Sequence, residues 1–206
     1  MNPFELGILL IFHPSDAFDE IKLKNDRLSP LPGLVLLFLL FVVRYLYVLT
    51  VHAPLADIKI SDTNVIMEIG RIFLPVLTLS LSIYAVQSIL YGETTLSMIF
   101  TTVTYSLIPY LILTPAMILV SQILSSQEAG YYAAINNAMW LWIILLIISS
   151  IMYMNNFSFK KTVMVSLLSI AGVAFIWGVA IMIIAMTIQL AGFFNELYRE
   201  YILYNL

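Results

Sequence analysis

The chain predicts an all-α integral membrane bundle of five transmembrane helices, and three features lead there. Hydrophobic residues make up 62% of its 206 residues and charged residues only 10%, where soluble domains carry roughly a quarter charged. Between Ile72 and Asn195 the acidic and basic side chains are Glu93, Glu128, Lys160 and Lys161 alone. The blocks between them, 94–127, 129–159 and 162–195, each exceed the roughly 20 residues a helix needs to cross about 30 Å of hydrocarbon. In water such blocks would have to be hidden on every side, which a chain of this size cannot do several times over. No linker or low-complexity tract divides the sequence, so residues 1–206 read as a single membrane domain.

The first twelve residues contain Glu5 and no Lys or Arg, whereas a secretory signal opens on a basic region. The apolar run from Leu6 to Phe12 is too short to span. It reads as an interfacial segment with Phe4, Ile8, Ile11 and Phe12 along the headgroup boundary. His13-Pro14-Ser15 ends it, because the residue before a proline is pushed out of the helical region. Ser15 then reads as a helix cap, with Asp16, Asp19 and Glu20 as early acids. Ala17, Phe18 and Ile21 form an apolar stripe, and Lys22, Lys24 and Arg27 follow. This helix is expected on the membrane surface, so residues 1–30 form a cytosolic, interfacial segment that Pro30, Pro32 and Gly33 break off.

The spans are expected at about 33–51, 65–90, 97–124, 138–154 and 163–190. Arg44 falls inside the first. A polar loop at 52–64 precedes the second, which opens with Glu68 and Arg71 and contains Pro75. Tyr91-Gly92-Glu93 marks a turn. The third contains Pro109 and Pro115, each of which removes a backbone donor and bends a helix. A weakly polar loop at 125–137 and another at 155–161 bound the fourth. Residues 193–206 read as an amphipathic tail at an interface, with Glu196, Arg199 and Glu200 set against Phe194, Leu197, Tyr201 and Ile202.

Short loops rich in Lys and Arg stay in the cytoplasm. With five spans, Lys22, Lys24, Arg27, Lys160 and Lys161 fall on one side and Lys59 and Arg199 on the other, with Arg71 near the latter. A multi-pass cell-membrane protein with a cytoplasmic N-terminus and an extracytoplasmic C-terminus is therefore expected.

Arg44, Glu68 and Arg71 are the sharpest functional signal. Arg44 and Glu68 should lie at similar depth in antiparallel neighbours, while Glu68 and Arg71 are three apart on one helical face. Intramembrane charge is expensive enough to mark function by default. Their position near a boundary favours the plainer reading, in which Arg44 snorkels to the headgroups and Glu68 with Arg71 begins a helix. A clamp between the two helices comes next, and a substrate or proton site last. Pro75, Pro109 and Pro115 read first as packing devices, although freed carbonyls can line a pathway. Small residues such as Ser80, Ser82 and Ala85, or Ser166, Ser169, Gly172, Ala174 and Gly178, let helices approach closely.

Other classes lack their residues. Nine Lys and Arg without a basic run offer nucleic acid no electrostatic footprint. His13 and His52 sit on opposite expected sides, cysteine is absent, and no metal or cofactor is implied. No His-Glu-x-x-His, Gly-x-Ser-x-Gly or phosphate-loop spacing occurs, so an enzyme is not expected.

The layout resembles the Yip (Ypt-interacting protein) domain family, in its bacterial branch. His13-Pro14-Ser15-Asp16-Ala17-Phe18-Asp19-Glu20-Ile21-Lys22 before the first span carries the resemblance, with Tyr105-Ser106-Leu107-Ile108-Pro109-Tyr110 in the third and Asn156-Phe157-Ser158-Phe159-Lys160-Lys161 before the fifth. The acidic-leucine-glycine-proline signature of the eukaryotic members is missing. The resemblance implies five helices, a cytosolic N-terminus and an accessory role, with a sugar-uptake ABC transporter permease as the implied partner. From the residues, the expected function is a non-enzymatic accessory or scaffold that contacts the bilayer and binds another membrane protein or itself. The alternatives are a small-molecule or ion transporter or channel protomer, and a lipid-binding or membrane-shaping protein.

Overall fold

The computed structural model describes residues 3–23, 31–51 and 64–204. They form eight α-helices and one short 3₁₀ turn: α1 (Pro3–Phe12), α2 (Pro14–Leu23), α3 (Leu31–Thr50), α4 (Val65–Ile89), α5 (Leu96–Tyr105), α6 (Ile108–Ser121), the turn Ser126–Glu128, α7 (Ala129–Asn155) and α8 (Phe159–Tyr204). Taking α5 and α6 together, five of these stretches are long and apolar enough to cross a membrane. The protein is an all-α, multi-pass membrane bundle.

Each helix begins and ends for a local reason. The Asn64 side chain accepts from the Ile66 amide at 2.9 Å and caps α4, satisfying a donor that a helix start leaves bare. Thr95 does the same for α5 through the Met98 amide. The C-terminus of α7 closes with Asn156 in the left-handed region (φ 51°), while the Phe157 amide donates to Met152 O at 3.0 Å. Asn tolerates that conformation because its short polar side chain bonds locally. At the end of α4, Tyr91 takes the same conformation (φ 58°), and the Gly92 amide donates to Gln87 O at 2.8 Å.

The five spans, α5 and α6 counting as one, alternate in direction between two poles. At one pole, the Gln122 side chain after α6 donates to the Thr50 carbonyl that ends α3, at 2.6 Å. Val51, Met117 and Tyr132 pack together there. At the other pole, Thr94 before α5 meets Gln87 near the end of α4 and Asn155 at the end of α7. The centre is α5, whose residues from Met98 to Tyr105 are all buried. It is packed among α3, α4 and α7. Gly33 lets α3 approach it closely, since a Cβ there would stand 3.2 Å from the Phe100 ring.

Five expectations require correction. The third span is two helices, because the chain turns at Ser106 and Leu107 and restarts with Pro109 in the first turn of α6; a proline there lacks only a donor that would have had no partner. The fourth span begins at Ala129, nine residues before the expected 138. Glu128 folds back on the Ser125 amide at 3.0 Å in a capping box, and Ala129, Ala133 and Ala134 are strong helix formers. The fifth span and the tail are one helix of 46 residues, since no Pro or left-handed residue breaks the chain between Phe159 and Tyr204. The N-terminal helices are packed into the bundle and do not simply line the headgroups. Leu10, Ala17 and Phe18 are 0% exposed and cluster with Met98, Ile108, Leu146 and Met154. The second helix also starts at Pro14, with Ser15 inside it.

Candidate functional site

The residues singled out by charge meet between α3 and α4. Glu68 stands in the first turn of α4, and its side chain is only 1% exposed. Arg44 Nε donates to its Oε2 at 3.2 Å from α3, and Arg71 Nη1 donates to its Oε1 at 2.6 Å from one turn further along α4. One carboxylate therefore joins two guanidiniums and leaves the group with one net positive charge. The Arg44 guanidinium also lies 5.5 Å from the centre of the Tyr47 ring, within cation–π range. Its side chain is 23% exposed and that of Arg71 50%. Charge-assisted bonds of this kind are about twice as strong as neutral ones.

The cluster caps a cavity of about 390 Å³. α4 and α7 both pack on α5 and α8, and the cavity lies between α4 and α7, with Leu40 of α3 and Val103 of α5 also lining it. Its walls are apolar, with Ile72, Val76 and Leu79 from α4 facing Ile143, Ile144 and Ile147 from α7. Arg44, Arg71, Tyr110 and Trp140 stand at its polar end. The Tyr110 and Trp140 rings lie 5.8 Å apart. Tyr110 lies in the first turn of α6, just past the break at Ser106 and Leu107.

The prolines are spread out. Pro75 lies inside α4 on the cavity wall, Pro115 lies inside α6, and Pro109 belongs to the start of α6. Lys22 ends α2, next to Ile21, which packs with Met98 and Met154. Lys160 and Lys161 open α8 at that same pole, with Lys161 Nζ 3.8 Å from the centre of the Phe157 ring. Lys24 and Arg27 lie outside the described residues. Among the described residues no group of three His, Cys, Asp or Glu could hold a metal ion.

Two groups of polar contacts were not anticipated. The Thr94 hydroxyl lies 2.6 Å from Gln87 Oε1 and 3.1 Å from Asn155 Oδ1, all three side chains buried. They tie α4, α5 and α7 together at one pole. Ser82 donates to Ser169 O at 2.7 Å, and Gly172 passes over the same serine, so α4 and α8 cross at close range. The sequence signals were the Tyr91-Gly92 turn and the small residues of both α4 and α8, Ser82, Ser169 and Gly172 among them.

The family model of the Yip1 domain matches residues 8–182. The chain belongs to the Yip1 domain family. The match runs from α1 to beyond the middle of α8 and takes in the Arg44–Glu68–Arg71 cluster, the cavity and the broken third span. No curated protein and no solved structure matches the chain.

Proposed function

We propose that this Yip1-domain protein is a non-enzymatic accessory or scaffold protein of the cell membrane that docks another integral membrane protein through α8. The partner class is a transporter permease, of the sugar-uptake ABC type that the family resemblance implies. A cytoplasmic N-terminus and an extracytoplasmic C-terminus go with this reading, supported by Lys22, Lys160 and Lys161 near one pole.

The observation that carries the proposal is the length of α8 and the exposure of its C-terminal half. At about 1.5 Å per residue, its 46 residues extend roughly 69 Å, more than twice the hydrocarbon core. Val165 and Ser169 are buried where α8 crosses α4, but from Ile181 to Glu200 every side chain is exposed. Ile181, Met182, Ile183, Ile184, Met186 and Ile188 cover all faces of the helix with apolar surface. A single crossing does not require that surplus. Gly178, Ala185 and Gly192 would let a partner helix approach at backbone distance.

Photo-crosslinkers placed at Phe175, Met182 and Ile188 in native membranes test the proposal. A discrete adduct with a transporter subunit is expected, at a yield that falls when residues 181–200 are removed. Adducts with lipid alone, or only with a second copy of this chain, would overturn the assigned partner.

A further inference from the structure

The cavity between α4 and α7 has the volume and polarity pattern of a lipid site. At about 390 Å³ it falls in the range of roughly 300–1,000 Å³ typical of small-molecule pockets. Its positive charge is confined to one end, with Arg71 and Arg44, and the rest of the wall is aliphatic down to Leu79 and Ile147. Arg71 and Leu79 are eight residues apart on α4, a rise of about 12 Å, close to the roughly 15 Å that one leaflet contributes to the hydrocarbon core. A ligand that fills this space has one charged end and one alkyl body.

The mouth selects the source. Trp140 and Ile144 on the α7 rim are 44% and 55% exposed, and Pro75 on the α4 rim is exposed as well. The cavity thus opens sideways between two membrane helices, where acyl chains arrive by lateral diffusion and a water-soluble solute does not. The sign of the head follows from the cluster. Glu68 neutralises one of the two guanidiniums, and Arg71 spends one nitrogen on it while half exposed. A guanidinium carries five N–H donors in a fork suited to phosphate, so Arg71, which lines the cavity, retains donors beyond the one it gives to Glu68.

We infer that this cavity is a site for one acyl chain of a net-anionic phospholipid, with its phosphate on Arg71 and its tail against the aliphatic wall. Arg44 is a positioning residue that holds Glu68. α8 does not line the cavity, so the site stands or falls independently of the docking proposed for that helix.

The test uses the full chain with Trp142→Phe and Trp177→Phe, which leaves Trp140 at the rim as the sole indole. It is reconstituted in vesicles containing either phosphatidylglycerol or phosphatidylcholine with brominated tails, at equal mole fraction. The anionic lipid is expected to quench Trp140 with an apparent affinity about tenfold above that of the zwitterionic one: both bring a phosphate to Arg71, but only phosphatidylcholine also brings a fixed cation toward the net-positive cluster. Arg71→Gln should bring the ratio to within about twofold, and Arg71→Lys should keep most of it. Val76→Phe, or Leu79→Phe if the first does not fold, fills the aliphatic wall and should lower quenching by both lipids. Equal quenching by the two lipids, or a preference unchanged in Arg71→Gln, would overturn the inference. Loss of the preference on adding excess inorganic phosphate would assign the arginines to a soluble anion and also overturn it.

Discussion

Replacing Glu68 with glutamine removes the one anion that two guanidiniums share. The Arg44 side chain is about three-quarters buried and loses its 3.2 Å contact, while the half-exposed Arg71 loses its 2.6 Å contact. Removing one member of a buried ion pair costs about 3–5 kcal/mol, because the remaining charge is left without compensation. The Arg71 share is small, since exposed pairs contribute about 0–1 kcal/mol after solvent screening. The expected destabilisation is about 3–4 kcal/mol for Glu68→Gln, about 2–3 for Arg44→Gln, and less than about 1 for Arg71→Gln. Replacing all three by Met and Leu should cost less than Glu68→Gln alone, because no charge is then stranded. Reversible unfolding in mixed micelles, titrated with SDS and followed by tryptophan fluorescence, measures the order. An Arg71 variant less stable than the Glu68 variant, or a Glu68→Gln shift under about 1 kcal/mol, would refute the reasoning that burial sets these costs.

Phe18→Ala should destabilise the bundle by about 3–5 kcal/mol, the cost of emptying a fully buried aromatic site; a change within error in the same titration would mean that α2 is only an interfacial segment. Gly172→Ala should displace the Ser82 hydroxyl from Ser169 O and cost about 1–3 kcal/mol through overpacking, with Gly178→Ala as a neutral control because nothing stands near a Cβ there. Tyr91→Gly should stabilise the protein by up to about 1 kcal/mol, by relieving a left-handed backbone at φ 58°, and a loss of stability would argue for a tertiary role of that ring. Truncation after Ala180 should leave the Tm in detergent essentially unchanged, because the side chains from Ile181 to Glu200 are exposed; a large drop would show that the end of α8 supports the bundle.

Much of the chain's architecture is a matter of consecutive residues, and those features are legible in order along it. Leu31–Thr50 and Val65–Ile89 lie within two residues of the expected 33–51 and 65–90, since hydrophobic length and a capping Asn64 are local properties. Glu68 and Arg71 share a helical face by spacing alone. The early start of α7 was hidden because Tyr131, Asn136 and Asn137 look like loop residues until Glu128 is seen folding back on Ser125. The continuity of α8 was hidden because the polar residues after Asn195 suggest an end, although no residue there breaks the backbone.

By itself, the sequence determined that this protein is a membrane protein, that it has five stretches long and apolar enough to cross a bilayer, and that Glu68 and Arg71 share one face of a helix. Only the tertiary structure decided which face of each helix is packed. It buried Leu10 and Phe18 in the core, brought Arg44 and Arg71 onto one carboxylate, and left an aliphatic space between α4 and α7 while the C-terminal half of α8 ran on exposed. The reason is physical. In water an apolar stripe marks the buried side of a helix, but hydrocarbon is as apolar as leucine. Lipid-facing and core-facing positions then read alike, and only the packing of neighbouring helices separates them.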